Sequence, residues 1–270
     1  MPAVSQALID FANHVRAPAA PGVEIIRTDR YQITLQRDFP LPGPNSVSYV
    51  RVTEDAADEL ISEVRSIVAA RNLPVMWVLD PDTEPPDFGE RLLAHGAVPD
   101  PHASEVAVMV LPIDAAIEPP PTPGLEIQDA LADLATFRRA DAVGAEAFES
   151  RSLGEDPDQV AAQERRRVNQ LTSGTRRLLL ATVNGEPAGS AGLTLFVPDG
   201  AIINGGAVRP RFRRLGVYRA LVAARLELAR EAGVAGLTVW GNDRSGPILA
   251  RLGFVKVGWR RSYRDTATAN

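Results

Sequence analysis

The sequence predicts an α+β (α/β) fold with two domains, each a mixed central β-sheet flanked by helices. Three observations predict it. A proline-rich segment at 118–124 divides the 270 residues into a first domain (1–117) and a second (125–270), each large enough for its own core. Strand and helix patterns alternate in both halves. Each half also ends in strand, helix, glycine and strand, which indicates a duplicated domain.

The pattern of the first half predicts short strands followed by alternating helices and strands. Alternating or apolar runs predict strands at 24–28, 31–36, 48–53, 75–79 and 105–111. An apolar stripe at helical spacing, which includes Leu60, Ile61 and Val64, predicts a helix over 54–71. A second, shorter helix is expected over 88–95 because Gly96 ends it.

The second half gives a clearer pattern. Asn184-Gly185 is a strong hairpin signal, since both central residues of that turn need positive φ. It joins two of three predicted antiparallel strands at 177–183, 187–197 and 201–208. Helices are expected over 131–149, 157–171, 217–232 and 245–252. A further strand is expected at 237–240 and a final strand pair near 255–263.

Composition excludes several classes of protein. There is no cysteine and there are three histidines, which excludes disulfide scaffolds and thiolate metal sites and leads us to expect no metal. No apolar run reaches the length of a membrane span, and the first residues lack the pattern of a signal peptide. We therefore expect a cytoplasmic protein with no membrane partner.

Charge is divided unevenly along the chain. Residues 1–120 carry 8 arginines against 18 acidic residues, whereas residues 121–270 carry 21 basic against 16 acidic residues. Five arginines fall within 209–219, between a predicted strand and a predicted helix. Free amides and the dipole at a helix start attract anions, and a glycine allows close approach, so this turn is a candidate phosphate cradle.

The run Arg213-Arg-Leu-Gly-Val-Tyr218 resembles the pyrophosphate loop of the GNAT superfamily of acetyl-CoA-dependent N-acetyltransferases. Trp240-Gly-Asn242 and Leu252-Gly-Phe254 resemble a second segment of that family at the expected spacing. The resemblance covers about residues 125–265. The first half, with its runs Trp77-Val-Leu-Asp-Pro-Asp-Thr83 and Leu92-Leu-Ala-His-Gly-Ala97, resembles the degenerate partner domain of tandem GNAT proteins. Its corresponding helix starts with acidic residues at 53–58, which would repel pyrophosphate, so this half is not expected to bind the same coenzyme.

The resemblance implies that acetyl-CoA is the donor substrate and that an amine attacks it directly in a ternary complex. Backbone at the end of the strand would pair with pantetheine, loop amides would hold the pyrophosphate, and an amide near Val208 would polarise the acetyl carbonyl. The implied coenzyme-binding residues are Ala207, Val208, Arg213, Arg214, Leu215, Gly216, Val217, Tyr218, Arg219 and Asn242.

The catalytic groups are less clear, because the sequence departs from the family pattern. Tyr218 stands where a small residue is usual, Leu249 where many members carry a tyrosine acid, and Asn204 on a strand that commonly carries the glutamate base. Glu146 and Glu149 are candidate bases by location. The candidate catalytic residues are Glu149, Asn204 and Tyr218.

These departures leave an alternative open, namely a non-catalytic acyl-CoA sensor. A nucleic-acid partner is not expected, since no aromatic residues interleave the basic ones. The amine acceptor and the oligomeric state are open at this stage.

Overall fold

The computed structural model of the chain describes residues 3–16, 19–147, 154 and 156–265. The α-helices are α1 (Gln6–His14), α2 (Ala57–Ala69), α3 (Phe88–Ala94), α4 (Leu134–Ala147), α5 (Pro157–Thr172), α6 (Val217–Glu231) and α7 (Gly246–Arg251). The strands are β1 (Glu24–Arg27), β2 (Gln32–Leu35), β3 (Ser46–Ser48), β4 (Met76–Leu79), β5 (Val98–Pro99), β6 (Glu105–Pro112), β7 (Leu125–Asp129), β8 (Arg176–Val183), β9 (Glu186–Phe196), β10 (Gly200–Val208), β11 (Gly236–Gly241) and β12 (Val255–Arg264).

The predicted α+β class, with mixed sheets flanked by helices, is confirmed. The strand predicted over 48–53 is wrong, because β3 ends at Ser48 and Tyr49 has φ +58°, which breaks the extended backbone. The strand pair predicted near 255–263 is also wrong, because the extended backbone continues as the single strand β12 from Val255 to Arg264. Helix α1 and strands β5 and β7 are present without having been predicted. No helix among the described residues is long and apolar enough to cross a membrane.

The chain forms two compact units that are not contiguous in sequence. Unit 1 comprises the described residues of Met1–Val15, Met109–Val239 and Ile248–Lys256, and unit 2 those of Arg16–Val108, Trp240–Pro247 and Val257–Asn270. The predicted domains 1–117 and 125–270 were contiguous stretches. The difference arises because a sheet edge can be paired by any segment that reaches it, and periodicity along the sequence does not say which segment does.

Unit 2 contains a mixed sheet in the order β1-β2-β3-β4-β12. Strands β1, β2 and β3 pair antiparallel, β3 pairs parallel with β4, and β12 pairs antiparallel with β4 from Arg261↔Leu79 to Arg264↔Met76. The apolar stripe of α2 packs in its core with Trp77 and Phe88, whose ring centroids lie 5.6 Å apart. The stripe predicted from helical spacing is therefore the buried face of α2.

The end of β12 is held in unit 2 by a buried carboxylate. Asp265 accepts hydrogen bonds from Arg65 Nε at 2.9 Å and from Trp77 Nε1 at 3.0 Å, and its side chain is fully buried. Its backbone amide donates to the carbonyl of Val75. Residues from both ends of the sequence thus share one hydrogen-bond cluster, which stabilises a strand that the first half does not itself supply.

The backbone beyond β3 is paired by a loop of unit 2. Glu84 N–H donates to the Val50 carbonyl at 3.1 Å, and Val52 N–H donates to the Glu84 carbonyl at 3.2 Å. Arg51 and Glu84 form an isolated parallel bridge, and Arg51 also pairs with Asp80 at 3.0 Å. The backbone between β3 and the 3₁₀ turn at Glu54–Ala56, which precedes α2, is therefore paired with this chain's own backbone.

Unit 1 contains the antiparallel order β7-β8-β9-β10, and β10 pairs parallel with β11. One face of the sheet packs against α6 through residues such as Leu179 and Ala181, with Val217 and Leu221 of the helix. The other face packs against α4 through Leu180 and Ala207. Because side chains alternate along a strand, each position of β8 can be assigned to the α6 face or to the α4 face.

The proline-rich segment is docked on α6. At one end of the helix, Arg230 Nε donates to the Ile113 carbonyl at 2.9 Å. At the other end, Thr122 Oγ1 donates to the Leu215 carbonyl at 2.6 Å, and the Pro120 ring lies where a side chain at Gly216 would project. Pro120 and Thr122 of the proline-rich segment therefore contact the start of α6, and Ile113, which precedes the segment, is bound at the end of α6.

Candidate functional site

The pairing between β10 and β11 is short. It is confined to Ala201↔Leu237 and Ile202↔Thr238, although β10 continues to Val208. Within the described strands, the β11-facing edge of β10 is thus free of β11 beyond Ile202. An extended ligand with amide groups could pair with such an edge as an added strand does.

The same stretch of β10 carries a β-bulge. Its register with β9 passes from Asn204↔Gly192 to Ala207↔Ser190, so Gly205 and Gly206 are left outside the ladder. Gly205 has φ +59°, a conformation that glycine adopts without strain. A bulge frees backbone amides at one point of an otherwise paired strand, which suits polarisation of a ligand carbonyl.

A basic turn joins β10 to α6. A 3₁₀ turn at Pro210–Phe212 is followed by Arg214 with φ +66° and by Gly216, the N-cap of α6, with φ +83°. The first intrahelical bond runs from Ala220 N–H to the Gly216 carbonyl, so the preceding helical amides have no partner within the helix. These amides and the helix dipole form a site suited to an anion.

Three of the five arginines in this region remain available to an anion. Arg209 pairs with Glu146 at 2.9 Å and Arg211 with Glu186 at 2.8 Å, so carboxylates already compensate these two. The three exposed side chains of the loop, in contrast, make no ion pair within the described part of the chain: Arg213, Arg214 and Arg219. The local charge facing a ligand is therefore smaller than the sequence suggests, but it is concentrated at the helix start.

The remaining loop and strand residues differ in which of their atoms a ligand could contact. Leu215 is exposed, whereas the side chain of Val217 is buried in the core, so Val217 can offer only its amide. Ala207 is buried and pairs with β9, and the Val208 carbonyl accepts from Arg213 Nε at 3.3 Å. For these residues the available groups are backbone atoms, as the resemblance implies.

Tyr218 packs under the bulge on the α6 face. Its ring comes within 3.0 Å of the position that a Cβ at Gly206 would occupy, so the glycine makes room for the tyrosine. Burial raises the pKa of Tyr218, and the neighbouring cation of Arg225 partly offsets this rise. The large residue at a usually small position is thus accommodated by a small residue on the strand.

Arg225 is a functional candidate that the sequence reasoning missed. Its side chain is fully buried, and it donates to the carbonyls of Leu221 at 3.0 Å and Gly192 at 3.3 Å. Burial lowers its pKa to about 10, which leaves it charged at neutral pH. Arg225 lies within the apolar stripe of α6, four residues after Leu221. An arginine at such a position is the sequence signal that could have identified it as a buried charge.

Asn204 lies on the other face of the sheet from Tyr218. Its Nδ2 donates to Thr194 Oγ1 at 3.2 Å, and Arg176 Nη1 donates to the same hydroxyl oxygen at 2.7 Å. Asn204 is therefore set among hydrogen-bond donors. The structure does not bring the two candidate catalytic residues together, and Glu149 lies outside the described residues.

Asn242 belongs to unit 2 and forms the turn that leads into α7. Its Oδ1 accepts from the amides of Arg244 and Ser245 and from Ser245 Oγ, all at 3.0–3.1 Å. Its Nδ2 donates to the His102 carbonyl at 3.1 Å. Its role in coenzyme binding stays a prediction, and its side chain already serves the local turn.

A known family matches the part of the chain that forms this site. Residues 145–254 match the family described as acetyltransferase (GNAT). This stretch is a GNAT domain. The match supports acyl transfer in general and does not favour the alternative of a non-catalytic sensor. Among curated proteins, no sequence matches the chain.

Solved structures share the fold over nearly the whole chain. A GCN5-related N-acetyltransferase from Kribbella flavida has a TM-score of 0.65 at 17% identity, covering 91% of this chain and 90% of its own. A functionally unknown conserved protein from Staphylococcus epidermidis has a TM-score of 0.65 at 15% identity, covering 92% and 95%. A tandem GNAT protein from the clavulanic acid biosynthesis pathway has a TM-score of 0.56 at 16% identity, covering 96% and 87%.

The similarity to a tandem GNAT protein extends over both halves of the chain, in agreement with the duplication predicted from the sequence. Within the described residues, no group of three or more histidine, cysteine, aspartate or glutamate side chains is arranged to hold a metal ion.

Proposed function

We propose that the GNAT domain binds acetyl-CoA and transfers the acetyl group to a primary amine by direct attack in a ternary complex. One observation carries the proposal. The pairing of β10 with β11 stops at Ile202, and the freed strand leads through a bulge into a helix start whose exposed arginines pair with no carboxylate among the described residues. Along the chain, the bulge at Gly205 and Gly206 for the acyl carbonyl, the open strand edge at Ala207 and Val208 for pantetheine and the anion site at the helix start follow one another in the order of an acyl-pantetheine-pyrophosphate chain.

The coenzyme supplies an activated acyl thioester, and the residues of unit 1 bind and orient it. Amides from Arg214 to Arg219 would hold the pyrophosphate, with Arg213, Arg214 and Arg219 adding charge. The backbone of Ala207 and Val208 would pair with the pantetheine arm. The bulge would polarise the carbonyl, so catalysis rests mainly on positioning.

Tyr218 is the proton donor that we assign to the departing thiolate. When the amine nitrogen bonds to the acyl carbon, the carbon–sulfur bond breaks, the sulfur takes one proton, and the new ammonium loses one to solvent or a base. A raised pKa keeps the phenol protonated at neutral pH, and Arg225 stabilises the phenolate that remains after transfer. The position under the bulge at Gly206 supports this role.

Coenzyme binding is tested first by calorimetry with CoA. Arg214→Gln and Arg219→Gln are each expected to weaken binding about tenfold, because each removes a charged donor from the loop. Arg211→Gln is the matched control, since it removes the same charge from the same loop at a side chain already paired with Glu186. Equal losses in all three variants would contradict the proposed cradle.

Gly216 is less useful as a test position. A side chain there would meet the Pro120 ring and would also sit at φ +83°, so a change would disturb the docked segment as well as the loop. Transfer is tested by following thiol release from acetyl-CoA with a panel of primary amines. If CoA binds but no amine causes thiol release, the proposal of acetyl transfer is contradicted, whereas the proposed coenzyme site stands.

A further inference from the structure

Three polar side chains form a cluster on the α4 face of the sheet, which we call the donor cluster: Arg176 on β8, Thr194 on β9 and Asn204 on β10. Thr194 is buried, and its hydroxyl oxygen accepts from both neighbours, Arg176 Nη1 at 2.7 Å and Asn204 Nδ2 at 3.2 Å. The cross-strand registers Arg176↔Thr194 and Asn204↔Gly192 hold the three on adjacent strands.

The donor cluster is rich in donors and lacks an anion. With its oxygen occupied, Thr194 can only donate its own proton outward, and Arg176 and Asn204 each keep further N–H groups. No carboxylate pairs with Arg176 within the part of the chain that the structure describes. Burial lowers the pKa of Arg176, whose side chain is half-buried. A ligand carboxylate or phosphate would offset this desolvation.

The cluster also adjoins the place where we assign the chemistry. Asn204 is the last residue of β10 in register with β9 before the bulge at Gly205 and Gly206. Tyr218 and the loop arginines, in contrast, lie on the α6 side, where Tyr218 contacts Gly206. The donor cluster is thus next to the proposed acyl position on the face that the coenzyme loop does not use, where an acceptor could approach.

We infer that the donor cluster binds an anionic group of the acceptor, so that the substrate class is primary amines that also carry a carboxylate or phosphate. This inference rests on the proposed function. Arg176 supplies the charge and the fork of donors that such groups match, and it is a specificity-determining residue that does not touch the reacting atoms.

The test compares acceptors that differ only in the anion. Thiol release from acetyl-CoA is measured with three pairs: β-alanine and β-alaninamide, 4-aminobutyrate and 4-aminobutanamide, and phosphoethanolamine and ethanolamine. The carboxylate and phosphate arms distinguish the two anion types. The wild-type protein is expected to prefer at least one anionic member at least about tenfold in kcat/KM, the size of a charge-assisted hydrogen bond.

Arg176→Gln should abolish that preference by raising KM for the anionic amines, and Arg176→Lys should restore part of it. Arg177→Gln is the matched control. Arg177 is the next residue along β8, its position falls on the α6 face, and it donates to the carbonyls of Gly174 and Arg176 at 2.8 Å. A preference for neutral amines, or one that survives Arg176→Gln, would overturn the inference and leave the proposed function intact.

If none of the six amines is acetylated, calorimetric binding of the three anionic probes to the CoA-loaded protein decides. Binding that Arg176→Gln weakens and Arg177→Gln does not supports the inference. No binding to the wild-type protein, or equal binding to both variants, overturns it. A wild-type protein that does not bind CoA at all overturns the proposed function and, with it, this inference.

Discussion

Both units contain a parallel strand pair whose first strand leads into a helix, but the exposed backbone of that strand is open in unit 1 and paired in unit 2. Each has a strand paired in parallel with another and followed by a turn into a helix: β10 with β11 in unit 1, and β3 with β4 in unit 2. In unit 1 the first strand runs free of its parallel partner for six residues. In unit 2 the backbone after β3 is paired with Glu84 of the same chain.

The residues at the starts of the two corresponding helices also differ in charge. Arginines with no carboxylate partner in the described part of the chain lie at the start of α6, whereas Glu54, Asp55 and Asp58 lie at the start of the helix in unit 2. A hydrogen bond from Thr53 lowers the pKa of Asp55, which keeps this carboxylate charged and repulsive to pyrophosphate. The comparison shows that the same strand-to-helix topology occurs in unit 2 without the open strand edge and the basic helix start that we propose for coenzyme binding in unit 1.

The largest effect should come from reversing charge at the unit 1 loop. The double variant Arg214→Glu/Arg219→Glu is expected to weaken CoA binding at least about a hundredfold, because two attractive charges become repulsive beside a diphosphate. Calorimetry measures the affinity. The matched change in unit 2, Glu54→Gln/Asp55→Asn, should leave it within a factor of about two, and an equal loss there would break the comparison.

Removal of the buried Asp265 carboxylate should lower the free energy of unfolding and leave the affinity for CoA unchanged. Asp265→Asn leaves Arg65 without its counter-charge, and we expect a loss of about 3 kcal/mol in the free energy of unfolding. Urea unfolding monitored by tryptophan fluorescence measures this loss. CoA affinity should be unchanged under conditions where the variant is folded. A tenfold loss of affinity at full folding would show that unit 2 contributes to the coenzyme site.

Tyr218→Phe should lower kcat about tenfold with little change in the dissociation constant of CoA, since general acid catalysis is lost and the ring still packs on Gly206. Because burial raises the pKa of Tyr218, its deprotonation in the wild-type protein should reduce kcat only at a pH above the ordinary pKa of a phenol. The alkaline limb should be absent in the variant. Identical pH profiles for the two proteins would exclude Tyr218 as the acid.

The smallest effect is expected from the docked proline-rich segment. The hydrogen bond from Thr122 to the Leu215 carbonyl orients that peptide unit, so the Gly216 amide points the opposite way. Thr122→Val should weaken CoA binding about three- to fivefold and leave pantetheine binding unchanged, because pantetheine lacks the pyrophosphate. Thr172→Val, at the exposed last residue of α5, is the control. A parallel loss for pantetheine would contradict an effect through the loop.

Much of the fold was predictable because local signals agreed with tertiary structure. The Asn184-Gly185 turn, the stripe of α2 and the helix after Gly216 follow from conformational and packing rules that act over a few residues. The predicted strand at 48–53 failed because Tyr49 adopts a positive φ, which its sequence context does not announce. Strand β7 was missed because only a polar, half-exposed stretch supports it.

The candidate site was likewise predictable from the sequence only where short-range structure decides it. A local motif identified the loop at 213–219, since backbone amides at a helix start need only short-range order. The motif did not reveal that carboxylates compensate Arg209 and Arg211, that Gly206 makes room for Tyr218, or that Arg176 and Asn204 meet at one hydroxyl. Each of these depends on residues brought together from distant strands.

The sequence alone therefore determined the α+β class, the duplication and the basic turn before α6, because periodicity, turn chemistry and helix starts are local properties. Only the tertiary structure decided which segments complete each unit, which strand edge stays open and which charges lack a partner. Those properties depend on strand pairing and side-chain contacts between residues far apart in the chain, which no local pattern specifies.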